Sequence, residues 1–162
     1  MHDIINFQGK TLDLGFTSIA QSKEYLTATP ITEEDYKKTF TSRKIDFVYN
    51  LEQQQKNDKT HSRTAGLTQV WCKLAKEHDI AVAFNYRSLL LAKDPARLLG
   101  RMQQNVKLCR KYHVIMIIAS FANNPYEQRA PAELESFGIL LGMTSKEAHQ
   151  ALNFTKKKKL IY

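Results

Sequence analysis

The sequence predicts an α/β fold in which parallel strands alternate with helices. Three short runs rich in apolar and β-branched residues, at 45–51, 80–84 and 114–119, have the composition of buried strands. Amphipathic helical patterns at 65–78 and 94–113 separate these runs, and such an alternation is typical of a parallel sheet. Because the carboxyl ends of parallel strands meet at one edge, the polar and cationic residues there are expected to face a partner.

Composition indicates one basic domain across residues 1–162, with the clearest pattern in 45–152. The 162 residues are 43% hydrophobic, enough for a real core, and the formal charge of +8 makes polyanions the natural partners. A basic surface whose charges are not clustered is the alternative. Cys72 and Cys109 match neither a disulfide framework nor a zinc spacing, so we expect reduced thiols in a cytoplasmic protein. An export signal and a membrane span are not expected.

The first third of the chain has weaker signals. Strands are predicted at 2–7, 12–19 and 25–29, and a short helix is predicted to begin after Thr32, where acidic residues follow a capping side chain. The polar segment 52–64 contains several turn-forming residues. It is expected to form a mobile loop at the carboxyl end of the strand before it.

The two longer helices are predicted to place apolar stripes on the sheet. In the helix at 65–78 the stripe includes Leu67 and Leu74, and the second helix begins at Asp94 and Pro95, which suit a cap and a first turn. At 100° per residue the second helix also has a cationic sector, for which a solvated surface is the alternative interpretation. That sector contains Arg97, Arg101, Lys107 and Lys111.

The last third continues the alternation. Residues 120–129 are predicted to leave the third strand as a loop, and a helix follows from Pro131 to about residue 141. The segment 144–147 is a capping-box signature for another short helix. The basic tail at 156–159 is predicted to form either a final strand or an extended arm.

The sequence lacks the residue patterns that several kinds of catalysis require. The five histidines are scattered without metal-ligand spacing, and the sequence has no glycine-rich phosphate loop. Ser120 lacks the glycines of a nucleophile elbow, so a hydrogen bond at the strand end is the favoured interpretation. Asp46 and Asn50 are expected to be architectural. We therefore predict neither a catalytic residue nor a metal site in this chain.

Arg87 and Arg129 stand out because each follows an apolar strand. Ligands of parallel α/β sheets bind at such positions, and an arginine can grip phosphate oxygens with a planar fork of donors. Both arginines are predicted to bind a polyanion.

Residues 46–152 resemble the archaeal ribonuclease P protein component 3 family, of the ribonuclease P p30 type. The likeness covers about two thirds of the chain, and its specificity comes from the order of several weak motifs. These are Ser-Arg-Thr-Ala-Gly-Leu at 62–67, Cys-Lys-Leu-Ala at 72–75, Arg-Ser-Leu-Leu at 87–90, Arg-Lys-Tyr at 110–112, Ala-Ser-Phe-Ala at 119–122, Arg-Ala-Pro at 129–131 and Gly-Ile-Leu-Leu-Gly-Met at 138–143.

The resemblance implies a TIM-barrel-like fold related to polymerase and histidinol phosphatase domains. It also implies a subunit of the endoribonuclease that removes the 5′ leader from precursor tRNA, in which the RNA and its Mg²⁺ perform the cleavage. The expected partners are that catalytic RNA, precursor tRNA, ribonuclease P protein component 2 and other protein subunits. The chain itself is expected to hold no cofactor.

The resemblance also implies RNA-binding residues. Arg87 and Arg129 match arginines implicated in RNA function in the family, and Lys73 and Lys111 fall on basic positions. The whole set expected to bind RNA is Arg87, Arg129, Lys73, Lys111, Arg63, Arg97, Arg101 and Lys107. Gln69 and Ala132 depart from residues of some relatives, and no role is assigned to either position.

The chain has fewer residues before Asp46 than family members generally have. We therefore expect a shortened or incomplete barrel of six or seven strands, whose exposed edge needs cover from the N-terminal segment, the basic tail or a protein partner. Two other functions stay open. One is a barrel phosphoesterase acting through strand-end residues, and the other is a module that binds proteins only.

Overall fold

The computed structural model describes residues 1–53, 58 and 63–154. These residues contain six strands, which pair in parallel, and six α-helices. The strands are β1 (His2–Ile5), β2 (Ser18–Gln21), β3 (Thr27–Ala28), β4 (Phe47–Tyr49), β5 (Ala81–Asn85) and β6 (Met116–Ala119). The helices are α1 (Glu33–Thr41), α2 (Gln69–Glu77), α3 (Tyr86–Leu90), α4 (Pro95–Tyr112), α5 (Pro131–Leu140) and α6 (Ser145–Ala151). The predicted basic tail at 156–159 lies outside the described residues.

The larger sheet has the strand order β3-β4-β5-β6, and β1 and β2 form a second sheet. In the larger sheet Val48 lies beside Val82, and Ala83 lies beside Ile117. Neighbouring strands of this sheet are consecutive in the chain, and helices α1 to α4 lie between them. This order is that of a TIM-barrel-like fold, as predicted.

The N-terminal strand β1 lies against the end of β6. The backbone amide of Phe121 donates to the carbonyl of Ile4 at 2.9 Å, and the amide of Asn6 donates to the carbonyl of Ala122 at 2.8 Å. The described strands thus follow one another from β3 through β6 to β1 and β2. Among the described residues no strand pairing joins β2 to β3. The N-terminal segment, one of the three covers that we expected for an exposed edge, therefore lies at the end of β6.

The larger sheet is covered on both faces, which explains its nearly continuous apolar runs. On β5, Val82 and Phe84 belong to the core cluster that contains the helices' apolar residues. Ala81 and Ala83 alternate with them and belong to a second cluster. All four side chains are buried. The alternation of strand side chains therefore separates a helix-facing core from an inner core.

The inner core is aromatic. Phe47 of β4 is fully buried, and its ring lies 6.0 Å from that of Phe121 in an edge-on arrangement. Tyr49 and Phe121 stack with ring centroids 5.1 Å apart. Rings of this size fill the space that the small Ala81 and Ala83 leave on the same face.

Helix starts follow the capping chemistry of the sequence. The Thr32 hydroxyl accepts from the amide of Asp35 at 3.2 Å, and the Asp94 carboxylate accepts from the amide of Arg97 at 3.0 Å. Pro95 occupies the first turn of α4, where its missing N–H costs nothing. The predicted beginnings of α1 and α4 are therefore confirmed.

Two predicted elements are wrong in part. The strand predicted at 12–19 is limited to residues from Ser18 onward, because Gly15 adopts a φ of +85° and interrupts the extended backbone. The helix predicted from residue 65 begins at Gln69, because Gly66 has a φ of +89°. A Cβ at Gly66 would lie 2.6 Å from the Leu51 carbonyl oxygen, so glycine is needed for this approach. Helix α3 was not predicted.

Candidate nucleic-acid interface

A cavity of about 510 Å³ opens at the carboxyl ends of β4 and β5. Asn50 follows β4 and Asn85 ends β5, and both side chains contribute to its wall. Cationic residues from α3, from α4 and from the segment between them also line it, namely Arg87, Lys93, Arg97 and Arg101. The sheet therefore brings cations together at the edge where this class of fold binds ligands, as the sequence predicts for Arg87.

Two asparagines fix the direction in which the chain leaves β5. Asn50 has a φ of +57°, a left-handed conformation that asparagine tolerates, and its side-chain oxygen accepts from the Asn85 amide nitrogen at 3.0 Å. The Asn85 side-chain oxygen in turn caps α3 by accepting from the backbone amide of Ser88 at 3.2 Å. The contacts place Arg87 in the first turn of α3. Asn50 is thus architectural, as predicted, and also part of the cavity wall.

Arg87 is oriented by an acidic residue of the loop between β6 and α5. Its Nε donates to Glu127 Oε2 at 2.6 Å, with 28% and 23% of the two side chains exposed. The pKa of Glu127 is lowered, chiefly because the Asn123 backbone amide donates to its carboxylate and also because Arg87 does. A glutamate held ionised beside Arg87 keeps the guanidinium near the strand ends.

Arg129 contacts the start of α3 and the turn Pro125–Glu127. Its Nη1 donates to the carbonyl oxygens of Tyr126 at 3.1 Å and Gln128 at 2.8 Å. Its guanidinium carbon lies 5.6 Å from the ring centroid of Tyr86, the residue before Arg87, in a cation–π contact. The two arginines that the sequence singled out thus both contact the turn Pro125–Glu127, Arg87 through Glu127 and Arg129 through Tyr126.

Arg97 and Arg63 lie at the amino-terminal part of α4. Arg97 forms an ion pair with Asp94 at 3.0 Å and keeps 47% of its side chain exposed. Arg63 Nη1 donates to the carbonyl of Gly100 at 3.4 Å. A Cβ at Gly100 would lie 2.8 Å from the Arg63 guanidinium carbon. The missing side chain at Gly100 therefore lets Arg63 lie directly on the helix, one turn from Arg97.

The prediction that Arg101 lies on an exposed cationic face is wrong. Only 4% of its side chain is exposed, its Nε donates to Asp58 at 2.8 Å, and its Nη1 donates to the carbonyl of Glu52 at 2.8 Å. A buried cation needs such partners, because leaving water is costly for a charge. Through these two contacts Arg101 holds Glu52 and Asp58 against α4 and so stabilises the cavity wall.

Glu52 is a buried acid that the sequence did not reveal. It lies in the 3-10 turn Leu51–Gln53 with 1% exposure, so the expected mobile loop does not begin there. Most of the predicted loop at 52–64 lies outside the described residues. Burial raises its pKa to about 7, although Asn105 donates to its carboxylate at 2.7 Å and Arg101 favours the charged form. The signal available in the sequence was its place directly after the buried Leu51.

The other predicted cations lie outside the cavity wall. Lys73 is exposed on α2, and Lys107 and Lys111 are exposed on α4. Helices α2 and α4 pack against each other. The structure therefore places Arg87, Arg97 and Arg101 in the cavity wall, whereas Arg63, Arg129 and the three lysines lie outside it.

Ser120 forms the hydrogen bond at the strand end that the sequence predicts. Its hydroxyl donates to Asp3 Oδ2 at 2.6 Å, and its backbone amide donates to Asp3 Oδ1 at 2.7 Å. Asp3 is fully buried, and burial raises its pKa against the effect of these bonds. The sequence did not single out Asp3, although a lone acid in an apolar N-terminal run was a usable signal.

Among the described residues there is no group of three or more His, Cys, Asp or Glu side chains that could hold a metal ion. Cys72 and Cys109 are free and buried, as predicted, and burial raises the pKa of Cys72 to about 11. None of the described helices has both the length and the hydrophobicity needed to span a membrane.

One solved structure with a related fold is an archaeal assembly. The chain aligns with one chain of the cryo-EM structure of archaeal ribonuclease P with mature tRNA, with a TM-score of 0.65 and 21% sequence identity. The alignment covers 78% of this chain and 52% of that one. At this level of identity the likeness establishes the fold.

Curated relatives are similar to part of this chain. Ribonuclease P protein component 3 of Methanosarcina barkeri is 33% identical over 98 residues, which are 59% of this chain and 41% of the relative. The protein of the same name from Thermococcus kodakarensis is 36% identical over 83 residues, which are 50% of this chain and 38% of the relative. The chain therefore spans less than half the length of these relatives. The model of the RNase P subunit p30 family matches residues 8–160, so this chain belongs to that family.

Proposed function

We propose that this chain is a protein subunit of ribonuclease P that supports a catalytic RNA in removing the 5′ leader from precursor tRNA. The observation that carries the proposal is the family match over residues 8–160. The cationic cavity at the strand ends supports it, because Arg87, Lys93 and Arg97 converge there on one opening. Converging cations neutralise neighbouring phosphates of a folded RNA better than scattered ones do.

In this proposal the protein binds sugar-phosphate backbone and leaves bond breaking to the RNA. A guanidinium can donate two parallel hydrogen bonds to phosphate oxygens. Arg101 supports the cavity wall and does not itself contact RNA. The residues proposed to bind RNA are Arg63, Arg87, Arg97 and Arg129 near the strand ends, and Lys73, Lys107 and Lys111 on α2 and α4.

The proposed partners are the catalytic RNA, precursor tRNA, ribonuclease P protein component 2 and other protein subunits. Mg²⁺ would serve the RNA of the assembled enzyme. We also propose that residues 1–162 act as a single domain in the cytoplasm, where the two free thiols stay reduced.

Reconstitution of 5′-leader cleavage tests the proposal. The natural chain, Arg87→Ala and Arg129→Ala are each combined with the RNA and the other protein subunits. We expect either substitution to lower cleavage roughly ten-fold at limiting protein, since a hydrogen bond to a charged group contributes about 1.5–3 kcal/mol. Lys37→Ala, at an exposed residue of α1 outside the cavity wall, is the matched control.

Two results would count against the proposal. One is cleavage by the arginine variants at the rate of the Lys37→Ala control. The other is turnover of phosphoesters by the purified chain, stripped of nucleic acid and supplied with Mg²⁺ or Mn²⁺, which would favour the barrel phosphoesterase. Thermal unfolding of each variant separates loss of RNA binding from loss of folding.

A further inference from the structure

An exposed tyrosine projects from the loop between β6 and α5. Tyr126 lies in the 3-10 turn Pro125–Glu127 and is 87% exposed, more than any other large apolar residue in the described part of the chain. A single exposed ring has no meaning by itself. The hydrogen bonds that hold the backbone beneath this ring, and the charged residues around it, indicate a binding role.

The backbone beneath Tyr126 is held by several hydrogen bonds. The Asn124 side chain accepts from the backbone amide of Glu127 at 3.2 Å, and the Glu127 carboxylate accepts from the amide of Asn123 at 2.8 Å. Arg129 Nη1 donates to the carbonyl of Tyr126 itself at 3.1 Å. The backbone that carries the exposed ring is therefore held in place, so a ligand that covers the ring need not order the turn.

Two guanidinium groups flank the turn. Arg129 contacts the Tyr126 carbonyl and the Tyr86 ring, and Arg87 contacts the carboxylate of Glu127. Proteins bind unpaired nucleotides by stacking the base on an aromatic ring while nearby cations attract the phosphate. The turn offers both groups on one surface.

The surroundings of Tyr126 favour RNA over a protein partner. A protein contact centred on tyrosine is usually enclosed by an apolar core of the interface. Apart from Pro125, the residues that flank Tyr126 in the turn and its edges are polar or charged. They are Asn123, Asn124, Glu127 and Arg129, whereas Gln128 is buried.

We propose that Tyr126 is a stacking platform for one unpaired base of the RNA, with Arg129 supplying positive charge for the adjoining phosphate. The inference rests on the proposed function and names the RNA element concerned, which is a loop or bulge and not a continuous duplex.

Binding of the full chain to two RNA probes tests the platform. One probe is a hairpin with an unpaired loop, and the other is a blunt duplex of the same charge, both followed by fluorescence anisotropy at one salt concentration. Tyr126→Leu keeps apolar area and removes the ring, whereas Tyr126→Phe keeps the ring. We expect Tyr126→Leu to weaken hairpin binding about five-fold or more, the lower bound for stacking of one base, and Tyr126→Phe to stay within about two-fold.

The natural chain, Tyr126→Leu and Tyr126→Phe are expected to bind the duplex with equal affinity. Equal hairpin binding by Tyr126→Leu and the natural chain, while salt-dependent duplex binding persists, would overturn the platform and leave the proposed function standing. Loss of a protein subunit from the assembly by Tyr126→Leu, with both probes bound normally, would assign the ring to a protein interface instead. Failure of the natural chain to bind either probe would overturn the proposed function together with the platform.

Discussion

Two arginines of α4, four residues apart, have different roles in this molecule. Arg97 keeps 47% of its side chain exposed, whereas Arg101 keeps 4% and is bound by Asp58. Four residues advance a helix by about 400°, so both side chains point in nearly the same direction. A helical projection therefore cannot distinguish them. The contact with Asp58, 43 residues earlier in the chain, buries Arg101.

Substitution of Glu52 should change how stability depends on pH. Its folded pKa is about 7 and its ordinary value is 4.5, so between these values the folded chain holds a proton that the unfolded chain has lost. The free energy of unfolding contributed by this residue must then fall as pH rises through that window. We expect Glu52→Gln to remove a fall of roughly 2 kcal/mol between pH 5 and pH 8.

Urea unfolding of both proteins at several pH values measures this effect as a difference between them. Glu77→Gln, at an exposed position of α2, is the matched control and should follow the natural chain. Identical pH dependence of the Glu52→Gln protein and the natural chain would mean that the buried carboxyl does not retain its proton.

At the scale of elements, one ion pair fastens α6 to α4. Arg110 Nε and Nη2 donate to the two carboxylate oxygens of Glu147 at 2.8 and 2.6 Å, and Arg110 Nη2 also donates to the carbonyl of Gly142. The same carboxylate caps the start of α6 by accepting from the amide of Thr144 at 2.8 Å. These bonds, with Arg110 first, lower the pKa of Glu147 to about 2.

Glu147→Gln should therefore destabilise the chain at neutral pH. The side chains are 42% and 22% exposed, so after allowance for solvent screening we expect a loss of about 1 kcal/mol. A depressed folded pKa adds stability above about pH 4.5, which disappears as pH falls toward 2. Chemical denaturation of the natural chain and of the Glu147→Gln variant measures the difference in their free energies of unfolding at pH 7 and at pH 3.

A double-mutant cycle with Arg110→Ala isolates the contact between the two helices from the cap. Additive losses in the double variant would show that Arg110 and Glu147 act independently, contrary to the bidentate geometry.

At the scale of the whole molecule, the charge of +8 should make RNA binding strongly dependent on salt. Each phosphate contact releases counterions, so the logarithm of affinity falls linearly with the logarithm of salt concentration. We expect the double variant Arg63→Ala/Arg97→Ala to reduce the magnitude of that slope by about two. Titration of one RNA at several salt concentrations gives the slope. A double variant of exposed lysines before β4, Lys37→Ala/Lys44→Ala, is the control, and an equal reduction there would mean that the charge acts without a defined site.

The sequence alone was sufficient for the parallel α/β class, for the caps of α1 and α4, and for the position of Arg87 just beyond a strand end. These features depend on local periodicity, on capping side chains and on the rule that parallel strands end at one edge. Even the hydrogen-bonding role of Ser120 followed from the residues around it.

Only the tertiary structure determined which polar groups are buried. The contacts between Asp3 and Ser120, and between Asp58 and Arg101, join residues 117 and 43 positions apart. Such contacts leave no periodic trace in a sequence, because they depend on how separate elements pack. The same reason explains why Glu52 became a buried acid while Tyr126 stayed exposed on a fixed turn. Residue type and spacing determined the fold. Packing between elements that are distant in the sequence determined which polar and charged side chains are buried.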